Sequence, residues 1–80
     1  MHCLTIELAD VEGALLRLLG TTERRGWRPV GVVAGGGPRG LTVELQVRGK
    51  GSLELFTRQL SRLQEVLEVR ASATRQEVVA

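Results

Sequence analysis

The residues with the most chemistry per unit length lie between Asp10 and Arg17, in the stretch Asp-Val-Glu-Gly-Ala-Leu-Leu-Arg. Carboxylates ahead of a helix have two uses: they cap its free amides, or they meet an ammonium or a cation. Asp10 is placed to be an N-cap, and Glu12 adds favourable charge to the first turn, so the spacing predicts a helix that begins near Val11. Catalysis needs more than this. His2 is the only histidine and sits at a terminus, Cys3 is the only thiol, and no nucleophile and base can be paired. No set of metal-ligand spacing occurs either, so neither a catalytic residue nor a cofactor is expected. The run Gly35 to Gly40 invites a phosphate-cradle reading, but no Lys-Ser/Thr pair and no helix follows it.

Bulk properties narrow the field. A chain of 80 residues buries only about 60% of its unfolded surface, so a second copy or a partner is expected to complete it. The net charge is +2, and Arg24, Arg25 and Arg28 form a cluster rather than a continuous basic stripe, which argues against nucleic acid as a partner. No apolar run approaches the length of a membrane span and no leader pattern opens the chain, which makes the cytoplasm the expected location and excludes the membrane as a partner.

These residues need a frame to hold them. Leu4, Ile6 and Leu8 alternate with Thr5 and Glu7, the period of a strand from Cys3 to Leu8 with one buried face. Val11, Ala14, Leu15, Leu18, Leu19 and Thr22 recur at helical spacing, with Arg17, Thr21 and Arg24 pointing elsewhere, and Gly26 is the expected stop. Trp27 to Ala34 reads as a second strand that Pro29 confines to an edge. Gly35 to Gly40 reads as a mobile hairpin loop. Leu41 to Arg48 alternates without interruption. Ser52 caps a second helix, marked by Leu53, Phe56, Leu60 and Leu63, that runs to about Gln64. A last strand covers Val66 to Ser72 with Leu67, Val69 and Ala71 inward. One domain, 1–72, is expected, with 73–80 fraying.

The order strand, helix, strand, strand, helix, strand is a split βαβ arrangement: an α+β, ferredoxin-like fold with a four-stranded antiparallel sheet and both helices on one face. Many functions use that topology, so residues must choose among them. An RNA-recognition module would stack bases on aromatic residues of its open face, but that face offers Thr5, Glu7, Thr42, Glu44 and Gln46. A soft-metal carrier would carry a Cys-x-x-Cys pair after strand one, and an acylphosphatase-like hydrolase an arginine there; the loop holds Asp10 and Glu12 instead.

What the chain resembles is the ACT domain, and within that group the short regulatory small subunit of acetolactate synthase (acetohydroxyacid synthase). Asp10, Gly13, Ala14, Leu15 and Arg17, followed by Arg25, Gly26 and Trp27, stand where that family has an Asn or Asp, Gly-Ala-Leu-x-Arg, and an Arg-Gly-aromatic step. The segments Leu41 to Val47 and Leu60 to Val69 fit as well, so the likeness covers nearly the whole chain. It implies a non-catalytic homodimer joined through strand two and helix one, which binds and activates a thiamine-diphosphate-dependent catalytic large subunit in branched-chain amino-acid biosynthesis. It also implies that valine or another branched-chain amino acid binds at a junction made by Asp10, Val11, Glu12, Gly13, Ala14 and Leu15 of one chain and Arg28, Pro29 and Val30 of the other. A free-standing amino-acid sensor of the same fold, serving another enzyme or regulator, is the alternative.

Two departures bear on that junction. Glu12 replaces the usual proline, and Arg28 replaces an Asn. By the family's arrangement Asp10 and Arg28 of opposite chains meet, and the expectation is an ion pair that fills the effector's place and leaves the response to valine weak or absent. The large subunit is expected to contact either the outer side of helix one (Arg17, Thr21, Arg24) or the polar sheet face.

Overall fold

Alternation in the first strand has a direct structural outcome: Leu4, Ile6 and Leu8 are fully buried, and the strand they build is the most enclosed part of the sheet. A computed structural model describes residues 1–71. Its elements are β1 (His2–Leu8), α1 (Ala14–Arg24), β2 (Arg28–Gly37), β3 (Gly40–Arg48), α2 (Leu53–Ser61) and β4 (Val66–Ala71). The strands form one antiparallel sheet in the order β2-β3-β1-β4. This is the expected ferredoxin-like βαββαβ fold; the tail expected over 73–80, and Ser72, lie outside the described residues.

The core forms where the inward sides of β1 and β3 meet the two helices. Val43, Leu45 and Val47 of β3 lie opposite Ile6, Leu4 and His2 in register, and Ala14, Leu18, Phe56 and Leu60 close over them. Trp27, at the entry to β2, stacks on Phe56 with ring centroids 5.0 Å apart. Gly49 makes room for the indole: a Cβ there would lie 2.5 Å from its ring. Both helix boundaries near this end follow the sequence. Gly26 (φ 86) stops α1, with Gly26 and Trp27 amides donating to the Glu23 and Thr22 carbonyls in the paired bonds of a Schellman motif. Ser52 Oγ accepts from the Leu55 amide and caps α2.

Five expectations are corrected. Helix α1 begins at Ala14 rather than near Val11, for a reason taken up below. Thr21 is buried rather than outward, because it continues the Ala14–Leu18 row at the next turn. Gly35, Gly36 and Gly37 are not a loop: they pair with Thr42, Leu41 and Gly40 as the last residues of β2, and only Pro38 and Arg39 make the turn. Backbone pairing needs no side chain, so strong β3 residues opposite suffice to extend the ladder. Helix α2 ends at Ser61, not near Gln64, because the chain tightens into i−3 bonds from Arg62 to Gln59 and from Leu63 to Leu60. Ala71 is exposed, and Leu67 is 41% exposed, rather than inward. A register shift between Glu7 and Leu8 leaves Leu67 unpaired, so Val66 and Val69 take the core side.

Phe56 carries the aromatic stack and is 1% exposed. Phe56→Ala is expected to cost about 3–5 kcal/mol, most of the stability of so small a domain, whereas Leu55→Ala, half exposed on the same helix, is expected to fall within about 0.5 kcal/mol of the parent. Urea unfolding followed by Trp27 fluorescence checks both.

Candidate functional site

The β1–α1 loop is built around Gly13. Its φ of 79 and ψ of −1, with the Ala14 amide donating to the Val11 carbonyl at 3.1 Å, are the geometry of a type II turn with glycine at its third position. Only after that left-handed residue can a helix start, so Asp10 sits too far upstream to cap it, and among the described residues no side chain caps α1. The turn also accounts for the Glu12 departure. Proline is favoured, not required, at the second position of such a turn.

Asp10, Val11 and Glu12 are exposed, Gly13 and Leu15 are half-buried, and Ala14 is buried under the sheet. The loop is held from the other side by Arg17, a residue the sequence marked only as part of a family pattern and as outer helix surface. Its Nε donates to Glu65 Oε2, its Nη2 donates to the Glu12 carbonyl at 3.2 Å, and its Nη1 lies where a side chain on residue 13 would be, 2.9 Å from a built Cβ. The Ala9 amide donates to the Glu65 carbonyl at 2.8 Å. The loop is therefore fastened to the α2–β4 turn through side chain and backbone together. Beside the fastening an open cleft of about 400 Å³ is lined by Ala9, Val11, Arg17, Gln64 and Glu65. Arg17 at the fourth position after Gly13 was a readable signal, since that spacing stacks a side chain on the glycine. Glu65, 48 residues from Arg17, had no local signal.

Arg28, Pro29 and Val30 lie at the other end of the sheet. Arg28 pairs with Arg48, the last residue of β3, while Leu8, just before the loop, pairs with Leu41, which in turn pairs with Gly36. The separation along β2 is roughly 26 Å by strand rise. A single chain thus keeps the two halves of the predicted junction apart. Pro29 is half-buried and Val30 sits at a register shift, exposed.

β2 is an edge strand, as Pro29 required. Along it Val30 and Val32 are exposed, Val33 is 69% exposed, and on the neighbouring helix Leu16 is 76% exposed. The opposite sheet face is polar and internally satisfied near β4: Glu7 is only 7% exposed, accepts from Thr42 Oγ1 at 3.0 Å and pairs with Arg70 at 3.4 Å. Arg39 pairs with Glu68 at 3.1 Å. Among the described residues no helix is long and apolar enough to cross a membrane.

The βαββαβ order with one four-stranded antiparallel sheet and two helices defines the class, a ferredoxin-like α+β domain. The particular family follows from comparison: a family model for the ACT domain matches residues 10–69, and the chain belongs to that family. ACT domains are regulatory and non-catalytic modules associated with small-molecule control. No curated protein matches the chain.

The Arg17 guanidinium, and then a bond from the backbone of Glu65, hold the Glu65 carboxyl below its ordinary value of 4.5 although burial pushes it up. A carboxyl lowered in the folded state adds stability above its unfolded value that disappears as pH falls through the folded one. The stability difference between the parent and Glu65→Gln is therefore expected to be constant well above the ordinary value of 4.5 and to shrink as pH falls below it through the lower folded value, as read from urea midpoints.

Proposed function

We propose that this ACT domain works as a homodimer formed through β2 and α1, and that it is a regulatory small subunit that binds and activates the catalytic large subunit of an acetolactate synthase. The observation that carries the first part is the outer edge of β2, on which no strand pairs among the described residues and along which Val30, Val32 and Val33 are exposed, together with the exposed Leu16 of α1. A bare apolar edge invites pairing with another strand. Under twofold antiparallel pairing of two β2 edges, the start of each strand lies beside the end of the other, which brings Arg28 towards the partner's β1–α1 loop. That arrangement supports an Asp10–Arg28 ion pair between chains and a dimer that assembles without ligand and responds weakly or not at all to valine.

The second part rests on the Asp10, Gly13-Ala14-Leu15, Arg17 and Arg25-Gly26-Trp27 pattern, now with a physical reason for each glycine. A module with no chemistry of its own changes its partner's turnover only by binding one conformation of that partner better than another. The second reading, a free-standing sensor for another enzyme or regulator, is favoured by the uncapped start of α1, whose free amides suit a ligand carboxylate.

Affinity purification of the chain from its native cells separates the two readings: a large thiamine-diphosphate enzyme is expected, and retained amino acid without it favours the sensor. For the junction, Arg28→Glu is expected to shift the protein towards monomer in sedimentation, and Asp10→Arg added to it to restore the dimer. Monomer in the parent protein, or no rescue in the double variant, rules the pairing out.

A further inference from the structure

The end of the molecule that holds Trp27 carries a set of unmatched positive charges. Arg24 and Arg25 close α1, Arg28 opens β2, Arg48 ends β3 and Lys50 follows it, all of them exposed. Ion pairs among the described residues use Arg17, Arg39, Arg58 and Arg70, and none of these five. Arg24 donates to Thr21 Oγ1 at 3.1 Å. The sequence groups Arg24, Arg25 and Arg28; the fold adds Arg48 and Lys50 to them. Arg28 and Arg48 are opposite one another in register, so they share a face, the one away from the helices because Val47 enters the core. Like charges placed opposite destabilise a sheet, and a carboxylate laid across both relieves that repulsion. Lys50 stands between two glycines that lie against the indole: a Cβ on Gly49 would be 2.5 Å from the Trp27 ring and one on Gly51 3.9 Å.

Shape and neighbours select the partner. Neither the cleft at Glu65 nor the shallow one at Gly31 takes in any of these cations, so they form a surface and not a pocket for a small ion. That surface is short. Inward from Arg48 on the same face come Gln46 and then Glu44, which repels a polyanion long enough to run on along the sheet. Trp27 and Phe56 are both buried, so neither ring is open to stack on a base. We infer that this cationic end docks a short acidic segment of an unlike protein, its carboxylates on Arg25, Arg28, Arg48 and Lys50. Arg48 and Lys50 have no role in the pairing proposed for β2, so docking is separable from dimerisation.

Titration of the full chain with hexaglutamate tests the assignment, read by Trp27 fluorescence and by the amide NMR shifts of Arg48, Gly49, Lys50 and Gly51. Saturable changes are expected at low ionic strength and their loss by about 1 M salt, where the screening length falls to about 3 Å. Arg48→Gln and Lys50→Gln are each expected to weaken binding by about two- to fivefold, the scale of an exposed ion pair, and Arg48→Glu combined with Lys50→Glu to abolish it. Arg48→Gln is also expected to raise the urea midpoint slightly by removing the repulsion from Arg28, which separates weaker docking from weaker folding. The signal is read on whichever oligomer the chain forms, so a monomeric parent removes the proposed dimer and leaves the docking surface standing. Absence of saturation, or equal binding by the doubly reversed variant, overturns the proposal. Tighter binding of a short DNA duplex at equal charge concentration, or the same shifts from inorganic phosphate at equal concentration, overturns it as well.

Discussion

The stack of Trp27 on Phe56 is the contact on which the placement of everything else depends. Trp27 is the residue between the glycine that stops α1 and the first residue of β2, and Phe56 is the buried centre of α2. Their parallel contact, with an interplanar angle of 17°, joins both helices to the sheet at one point, and the ring of His2 meets the indole edge-on from β1. Large aromatic surfaces dominate the energetics of a core this small. Gly49 is the concession that allows it, since β3 must leave the sheet without a side chain where the indole lies. With Trp27 fixed, β2 starts at Arg28 and runs outward as the edge, and the valines on it have no interior to enter.

The opposite end of the molecule is organised by charge instead of aromatic contact. Gly13 turns the chain, Arg17 reaches back over it, and Glu65 receives the guanidinium from the far side. An exposed arginine pairing with a nearly buried carboxylate is not a strong source of stability by itself. Its value is positional: two loops from opposite ends of the chain acquire one shape. A loop that already holds one shape loses less entropy when it is bound.

The regular elements were legible because their periods were unambiguous. Alternation in β1 and β3 named the buried residues correctly, Pro29 identified the edge, and Gly26 and Ser52 marked helix boundaries that the structure reproduces. Thr21 apart, which its helical row buries, the misreadings share a cause: each lay where a backbone conformation, not a side-chain pattern, decides. A left-handed Gly13 moved the start of α1, an unpaired residue turned Leu67 outward, and a triglycine taken for a loop completed a ladder because its partner strand was strong. The candidate site divides the same way. Asp10 through Leu15 and Arg28 through Val30 were marked as a junction by the family resemblance alone, and the Arg17–Glu65 contact was not marked at all, since nothing local announces a partner so distant in sequence.

The final third of β2 is a strand without side chains. Gly35, Gly36 and Gly37 leave their outer backbone groups available with nothing projecting to dictate which residue of a neighbour lies opposite. Glycine-rich strands specify register weakly, whereas the proline and the shift at Val30 make the other end of the same edge selective. The edge therefore has a selective end and a permissive one: a strand laid along it would be discriminated at Pro29 and Val30 and accepted in more than one register along the glycines.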